Sequence, residues 1–192
     1  KLKATTKINK IKDNTLKLLT TKVYDSKKAI DGIKNLLKKD AIILCLQNGL
    51  YSENIVKDVV GNKCLVLRAV TNSGVAFLQP GVVQYNSHSY TAVEKNGKNA
   101  KSFAIAKLFA QCGLNGYVSD NIKIDMWKKL ILNCVLNPVT AILRIENRGI
   151  ADKRLNSLKK LIVEECLNVA KKDGVKFNID FIKMINSAIK DS

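Results

Sequence analysis

Ala41-Ile-Ile-Leu-Cys-Leu46 is an unbroken apolar run that stops at Gln47-Asn48-Gly49. A strand with one wet face alternates, so a continuous run of this length bounded by turn residues predicts a parallel strand covered on both faces. Upstream, Leu16-Lys-Leu-Leu-Thr20 reads as a short strand ending at Thr21-Lys22. Between the two, Ser26 stands as the N-cap of a helix whose Ala29, Ile30, Ile33, Leu36 and Leu37 keep a 3.6-residue period. The three pieces make a β-α-β unit.

Working outward, Cys64-Leu-Val-Leu-Arg-Ala-Val70 is the next strand, with Thr71-Asn-Ser-Gly74 as its end. Pro80-Gly81 followed by Val82-Val-Gln-Tyr85 and Ser89-Tyr-Thr-Ala-Val93 predicts a short hairpin. Asn99 to Cys112 has a helical apolar pattern closed by Gly113. From Ser119-Asp120 onward the period changes to helical, over about 120 to 143, 152 to 173 and 178 to 191. The expected fold class is therefore α/β: a partial Rossmann-like parallel-sheet domain over 1–118, then an all-α C-terminal domain over 119–192.

The whole chain has 192 residues, 46% of them hydrophobic, with 33 Lys+Arg against 16 Asp+Glu for a net charge of +17. That hydrophobic content excludes a wholly disordered or collagen-like chain. No window approaches the apolar length of a membrane span, and no signal-peptide pattern opens the chain. Together these lead to the expectation of a cytoplasmic protein. The charge raises nucleic-acid binding as a function class, but the lysines are scattered and no aromatic-rich strand or helix-turn-helix pattern accompanies them. The five cysteines are far apart and without a CxxC pair, which argues against a disulfide framework or a zinc site and for five small buried hydrophobes. His88 is the only histidine, so neither a histidine metal site nor a Ser-His-Asp triad can be assembled in the usual way. No metal is expected.

Chemistry concentrates in Asp125-Met-Trp-Lys-Lys-Leu-Ile-Leu-Asn-Cys-Val-Leu-Asn-Pro-Val-Thr-Ala141. On a helix, Lys129, Asn133 and Asn137 follow at steps of four within roughly 80° of arc. Trp127, Leu130, Cys134, Pro138 and Ile142 fall in a separate sector expected to face the core, and Lys128 points away as a solvent residue. Asn is a poor helix former and Pro138 removes a backbone donor, and local violations of this kind tend to mark sites. Lys22 and Asn48 each follow an apolar strand, and in an open parallel sheet ligands bind beyond the carboxyl ends of strands. The dinucleotide fingerprint GxGxxG is not found among the ten glycines.

Thr20-Thr-Lys-Val-Tyr-Asp25, Leu46-Gln-Asn-Gly-Leu50, Leu67-Arg-Ala-Val-Thr-Asn-Ser-Gly74, Gln79-Pro-Gly-Val-Val83 and Trp127-Lys-Lys-Leu-Ile-Leu-Asn-Cys-Val-Leu-Asn-Pro-Val-Thr-Ala-Ile142 together resemble the ketopantoate reductase (2-dehydropantoate 2-reductase) family, in its order and spacing. The resemblance implies NADPH-dependent reduction of 2-dehydropantoate to pantoate, a step toward coenzyme A. By match of motif it implies Lys129 as the general acid, and Asn48, Asn133, Asn137 and Asn147 as substrate contacts. Lys22, Asn48 and Val75 would be the cofactor contacts. Asn147 is the looser match, because the family usually has Pro-Asn-Gly where this chain has Glu146-Asn-Arg148. The family's glycine-rich turn is expected upstream of Lys1, and the Ser and Glu of its later helices downstream of Ser192. Without that turn, weak or no NADPH binding is expected. A small-molecule 2-oxo acid is the expected partner, with neither nucleic acid nor membrane, and with a homodimer among the assemblies allowed. The alternatives are a related 2-oxo or 2-hydroxy acid dehydrogenase and an inactive fragment.

Overall fold

The computed structural model describes residues 4–97 and 100–190, without the side chains of His88, Ser89 and Lys190. Asn99 and residue 191, expected limits of two helices, lie outside the described residues, as does the His88 side chain.

The apolar run forms β2 (Ile42–Cys45), paired in parallel with β1 (Leu16–Leu19) on one side and β3 (Leu65–Gln79) on the other. Burial on both faces follows, and Ile43, Leu44 and Cys45 are all inaccessible. β4 (Val82–Glu94) returns antiparallel to β3, and β5 (Gly116–Ser119) lies parallel to β4, so the sheet order is β1-β2-β3-β4-β5. Alternation sends Ile43, Cys45 and Val66 to the face covered by α1 (Ser26–Asp31) and α2 (Ser52–Val60). Leu44, Leu67, Ala69 and Val93 take the other face, against Ile105 and Ala106 of α3 (Ala100–Gln111). This is a mostly parallel sheet between helical layers.

Several local expectations are corrected. Ser26 is not an N-cap: Asp25 holds that position without a side-chain bond, and the buried Ser26 hydroxyl accepts a 2.7 Å bond from Gln47 Nε2. The helix ends at Asp31, and Lys34–Leu36 is a separate 3₁₀ turn, because Gly32 interrupts the run where helix propensity is weakest. α2 and β5 were not anticipated. Thr71-Asn-Ser-Gly74 does not end β3, which continues to Gln79; Val82–Tyr85 and Ser89–Val93 belong to one strand, β4. Pro80-Gly81 is the turn of that longer hairpin, with Gly81 at φ 81°. Cross-strand pairing of alternating residues compensates for the polar Thr-Asn-Ser stretch that locally reads as a loop. Of the cysteines only Cys45 is buried; Cys64, Cys134 and Cys166 are half-buried and Cys112 is exposed, because apolar neighbours in sequence do not fix which flank of an element faces inward.

Beyond β5 the chain is helical: α4 (Ile122–Leu143), α5 (Asn156–Lys172) and α6 (Phe181–Lys190), with 3₁₀ turns at Asn147–Ala151 and Lys153–Leu155. Trp127, Ile131, Val135 and Val139 of α4 meet Ile150, Val163 and Ile185 in a core of their own. The expected core sector is thereby corrected in part: Trp127 is buried and Leu130 packs against this core, but Cys134 is only half-buried, Pro138 is exposed and Ile142 is 78% exposed. Apolar residues surround most of this helix, so periodicity alone left its facing direction open. Lys159 is fully buried in the same core, donating to the Ile150 carbonyl at 2.9 Å and Asn186 Oδ1 at 3.1 Å. Among the described residues no helix is long and apolar enough to cross a membrane.

Candidate active site

Parallel pairing puts the carboxyl ends of β1 and β2 at one edge of the sheet, and Lys22 and Asn48 stand exposed just beyond it. β3 passes through that edge on its way into the hairpin, carrying Thr71 and Ser73 alongside. α4 crosses over the sheet, burying Met126 against Val70 and Ala92, and this docking delivers Lys129, whose Nζ donates to the Thr71 carbonyl. Lys22, Asn48, Thr71, Ser73 and Lys129 line one cleft of about 390 Å³. Lys129 also borders a second cleft of about 500 Å³ with Asn72, Tyr90, Tyr117, Asp125 and Lys128. The ammonium is thus shared by two adjoining openings.

Burial, with the Arg68 guanidinium as a nearby like charge, lowers the pKa of Lys129 to about 8. Such an ammonium is still mostly charged at neutral pH but releases its proton far more readily than a solvated lysine. In the second cleft, buried Asp125 accepts from Ser119 Oγ at 2.5 Å and from Tyr117 OH at 3.3 Å. Burial, with the Asp125 charge nearby, pushes the Tyr90 hydroxyl up to about 12 and drives Tyr117 upward too, so both stay neutral hydrogen-bonding groups.

The strand-end loops are held from beneath by Arg68, a 2% exposed guanidinium near the start of β3. It donates to the Gln47 and Gly49 carbonyls, the latter at 2.8 Å, and to Ser52 Oγ, with Glu53 Oε2 at 3.9 Å from Nε. Its own backbone N–H donates to Glu94 Oε2 at 2.7 Å. The Gln47 side chain then reaches the Thr21 carbonyl at 3.0 Å and Ser26 Oγ at 2.7 Å. Backbone on both sides of Asn48, and the residue before Lys22, are tied to one network.

The structure therefore brings Lys22, Asn48 and Lys129 together. Asn133 and Asn137 continue from Lys129 along α4 at one-turn steps, half-buried and exposed respectively, outside the described lining of both clefts. Asn147 is exposed at the start of its 3₁₀ turn, likewise outside that lining. Val75 is not brought to the cleft: it lies on the projecting hairpin opposite Tyr85, 54% exposed, with Ser73 nearer the site instead. Lys128 is corrected from a solvent residue to a half-buried wall of the second cleft, because α4 docks with Asp125, Lys128 and Lys129 all toward the sheet. Arg68, Gln47, Thr71 and Tyr117 were missed. For Arg68 the signal was present, a lone charge inside the apolar strand Leu65-Val-Leu-Arg-Ala-Val70.

A dinucleotide would require a cationic, hydrogen-bonding cleft at the strand ends, and the Lys22 ammonium, the Asn48 amide and the buried, unpartnered Gln47 Oε1 are of the kind that meets part of one. The dinucleotide-binding segment that carries a glycine-rich turn is not among these residues.

Among proteins of known identity, the chain is 30% identical to 2-dehydropantoate 2-reductase of Pyrococcus horikoshii, over 99% of this chain and 62% of the relative. It is 26% identical to the enzyme of the same name from Pyrococcus abyssi, over 93% and 59%. The chain thus spans about three fifths of the length of these curated relatives. Among solved structures it superposes on a PanE/ApbA family ketopantoate reductase from Ralstonia eutropha with a TM-score of 0.78 at 27% identity, covering 91% of this chain and 57% of the other. It superposes equally on D-mandelate dehydrogenase in ternary complex with NADH and anilino(oxo)acetate, with a TM-score of 0.80 at 26% identity, covering 95% and 59%. Residues 2–98 match the family model described as ketopantoate reductase PanE/ApbA, and residues 121–192 match that of its C-terminal part. The cleft-bearing sheet and the helical segment that delivers Lys129 are thus matched by the two halves of one family, and the chain belongs to the ketopantoate reductase family.

Proposed function

We propose that this chain carries the proton-donating half of an NADPH-dependent 2-oxo acid reductase, with 2-dehydropantoate as substrate and pantoate as product. The observation that carries the reading is the Lys129 ammonium, desolvated and lowered to about 8, at the meeting of the strand-end cleft with the helical part. When bound, a reduced nicotinamide supplies a hydride to the carbonyl carbon. Lys129 gives its proton to the ketone oxygen as negative charge develops there, and its charge stabilises that oxygen beforehand. Asn48 orients the reacting groups between cofactor and substrate, and Lys22 attracts the anionic cofactor. Asn133, Asn137 and Asn147 provide amide contacts to the acid, and Val75 offers backbone to the nucleotide. The separate apolar cores of the sheet and the helices support a division into a cofactor domain over 1–118 and a substrate domain over 119–192.

A second reading, a dehydrogenase for another 2-hydroxy acid, is favoured by the likeness to D-mandelate dehydrogenase with NADH. Oxidation of NADPH and of NADH is measured with 2-dehydropantoate and with the 2-oxo acid of mandelate, for the family's full-length form of this sequence, glycine-rich turn included, and for its Lys129→Met variant. Preference for NADPH and 2-dehydropantoate, with turnover lowered at least about 100-fold by the substitution, is expected. Equal rates with both acids would remove the pantoate assignment, and an unchanged Lys129→Met rate would remove the lysine.

A further inference from the structure

A charged guanidinium buried where β3 pairs in parallel with β2 needs a reason, because apolar packing would serve the sheet as well or better. Arg68 spends its donors on backbone carbonyls rather than on a full carboxylate pair: Glu53 stays at 3.9 Å, while the Gln47 and Gly49 carbonyls are bonded directly. Those two carbonyls flank Asn48 on either side. Gln47, fixed by the same guanidinium through its backbone, uses its side chain to hold Thr21 and Ser26, on either side of Lys22. The small space between this network and α4 is lined by Asn48, Gly49, Arg68, Thr71 and Lys129.

We infer that Arg68 is the positioning residue of the site, setting the loops of Asn48 and, through Gln47, of Lys22 opposite Lys129, with its guanidinium lining the same small space as the Lys129 ammonium. The reductase role of these three residues rests on the function proposed above; the mechanical and electrostatic coupling does not. A planar fork with donors at fixed angles suits the task, since a single ammonium cannot span Ser52, Gln47 and Gly49 together. The other charged and titratable groups facing Lys129 are Lys22 from the loop after β1, Asp125 and Lys128 from α4, Tyr90 from β4 and Tyr117 from β5. Of these the tyrosines remain neutral, and Arg68 cannot be deprotonated in the working range, which makes it a constant bias on Lys129.

The test needs neither cofactor nor turnover. In the full 192-residue chain, the titration of the Lys129 side chain is followed by NMR in lysine-labelled protein, with backbone order parameters at Thr21, Lys22, Asn48 and Gly49. In Arg68→Met, order at all four positions is expected to fall toward about 0.6 or lower, and Lys129 to titrate about half a unit higher. Arg68→Lys keeps the charge, so the Lys129 titration is expected to hold while the loops loosen. Gln47→Leu is expected to loosen Thr21 and Lys22 alone. Arg68→Met with a lower unfolding temperature but unchanged loop order and Lys129 titration would reduce Arg68 to a structural residue and overturn the inference. Should Arg68→Met fail to fold, ordered loops in Arg68→Lys, or an ordered 21–22 segment in Gln47→Leu, would overturn it equally. Should the full-length form reduce no 2-oxo acid while this chain shows these couplings, the reductase reading falls and the inference stands.

Discussion

Lys129 is held where little water can solvate its charge, and the like-signed Arg68 guanidinium disfavours that charge further. With a folded pKa of about 8 against 10.5 for the free side chain, the unfolded chain binds more protons across that interval. Stability therefore rises with pH between about 8 and 10.5, and the cost of burying the charge is felt in full below about pH 8, on the order of 3 kcal/mol at most. Lys129→Met should raise stability at pH 7 by about 1–3 kcal/mol and remove the slope; urea titrations at pH 7 and 10 check both. A more stable but inactive variant is the signature of a residue kept for chemistry rather than for packing. The positions of Lys22 and Asn48 were legible because each follows an apolar strand, and that of Lys129 because Asn residues and a proline surround it in a helix. Gln47 and Thr71 were not, and the lone charge of Arg68 in its apolar strand did not disclose its role, since their partners lie 16 to 58 positions away and only folding reveals them.

Among the elements, length did not decide what was readable: the four-residue β1 and β2 were read, whereas α2 and β5 were not and β3 runs beyond its expected end. α2 was overlooked although Ile55, Val56, Val59 and Val60 keep a helical period through Ser52-Glu-Asn-Ile-Val-Lys-Asp-Val-Val60; its apolar positions are all β-branched, which lowers helix propensity. β5 offers only Gly116-Tyr-Val-Ser119, too short for alternation to register, and exists because β4 supplies a ladder. Gly116 shows how tightly α3 presses on that strand: a Cβ there would run into the Ala106 carbonyl and come within 2.7 Å of Phe109 Cβ. Both obstacles belong to a helix packed on the sheet, so neither can move freely. Gly116→Ala should cost about 3 kcal/mol or prevent folding, read by chemical denaturation against Gly32→Ala, whose φ of −63° suits any residue and whose added methyl comes no nearer than 3.6 Å to the Ala29 carbonyl.

In the whole molecule, the sheet and the helical part are joined by a polar clasp at Asp173, just past α5. Its carboxylate accepts from Tyr51 OH, from Trp127 Nε1 at 2.7 Å and from Lys123 Nζ at 2.9 Å, and Lys123 also stands over the Tyr51 ring. Bonds from Tyr51, Lys123 and Trp127 hold the carboxyl down at about 2. A depressed carboxylate stabilises above its unfolded value and loses that contribution as pH falls, here from about 4 to about 2. Asp173→Asn should lower the melting temperature at pH 7 and weaken its fall across that acid range. Fluorescence of Trp127, the one tryptophan in the chain, reports the change at the clasp itself. The overall fold class was readable because a doubly covered strand leaves an unmistakable apolar run. The clasp was not, because it joins residues 46 and 122 positions apart. The strand order is a different matter. Spatial order repeats chain order, β1 through β5, so each strand finds its neighbour already made when it leaves the ribosome. Among the described strands none must wait for a later one to be inserted between two earlier ones, so these five can assemble vectorially during synthesis with little time as an open template for mispairing.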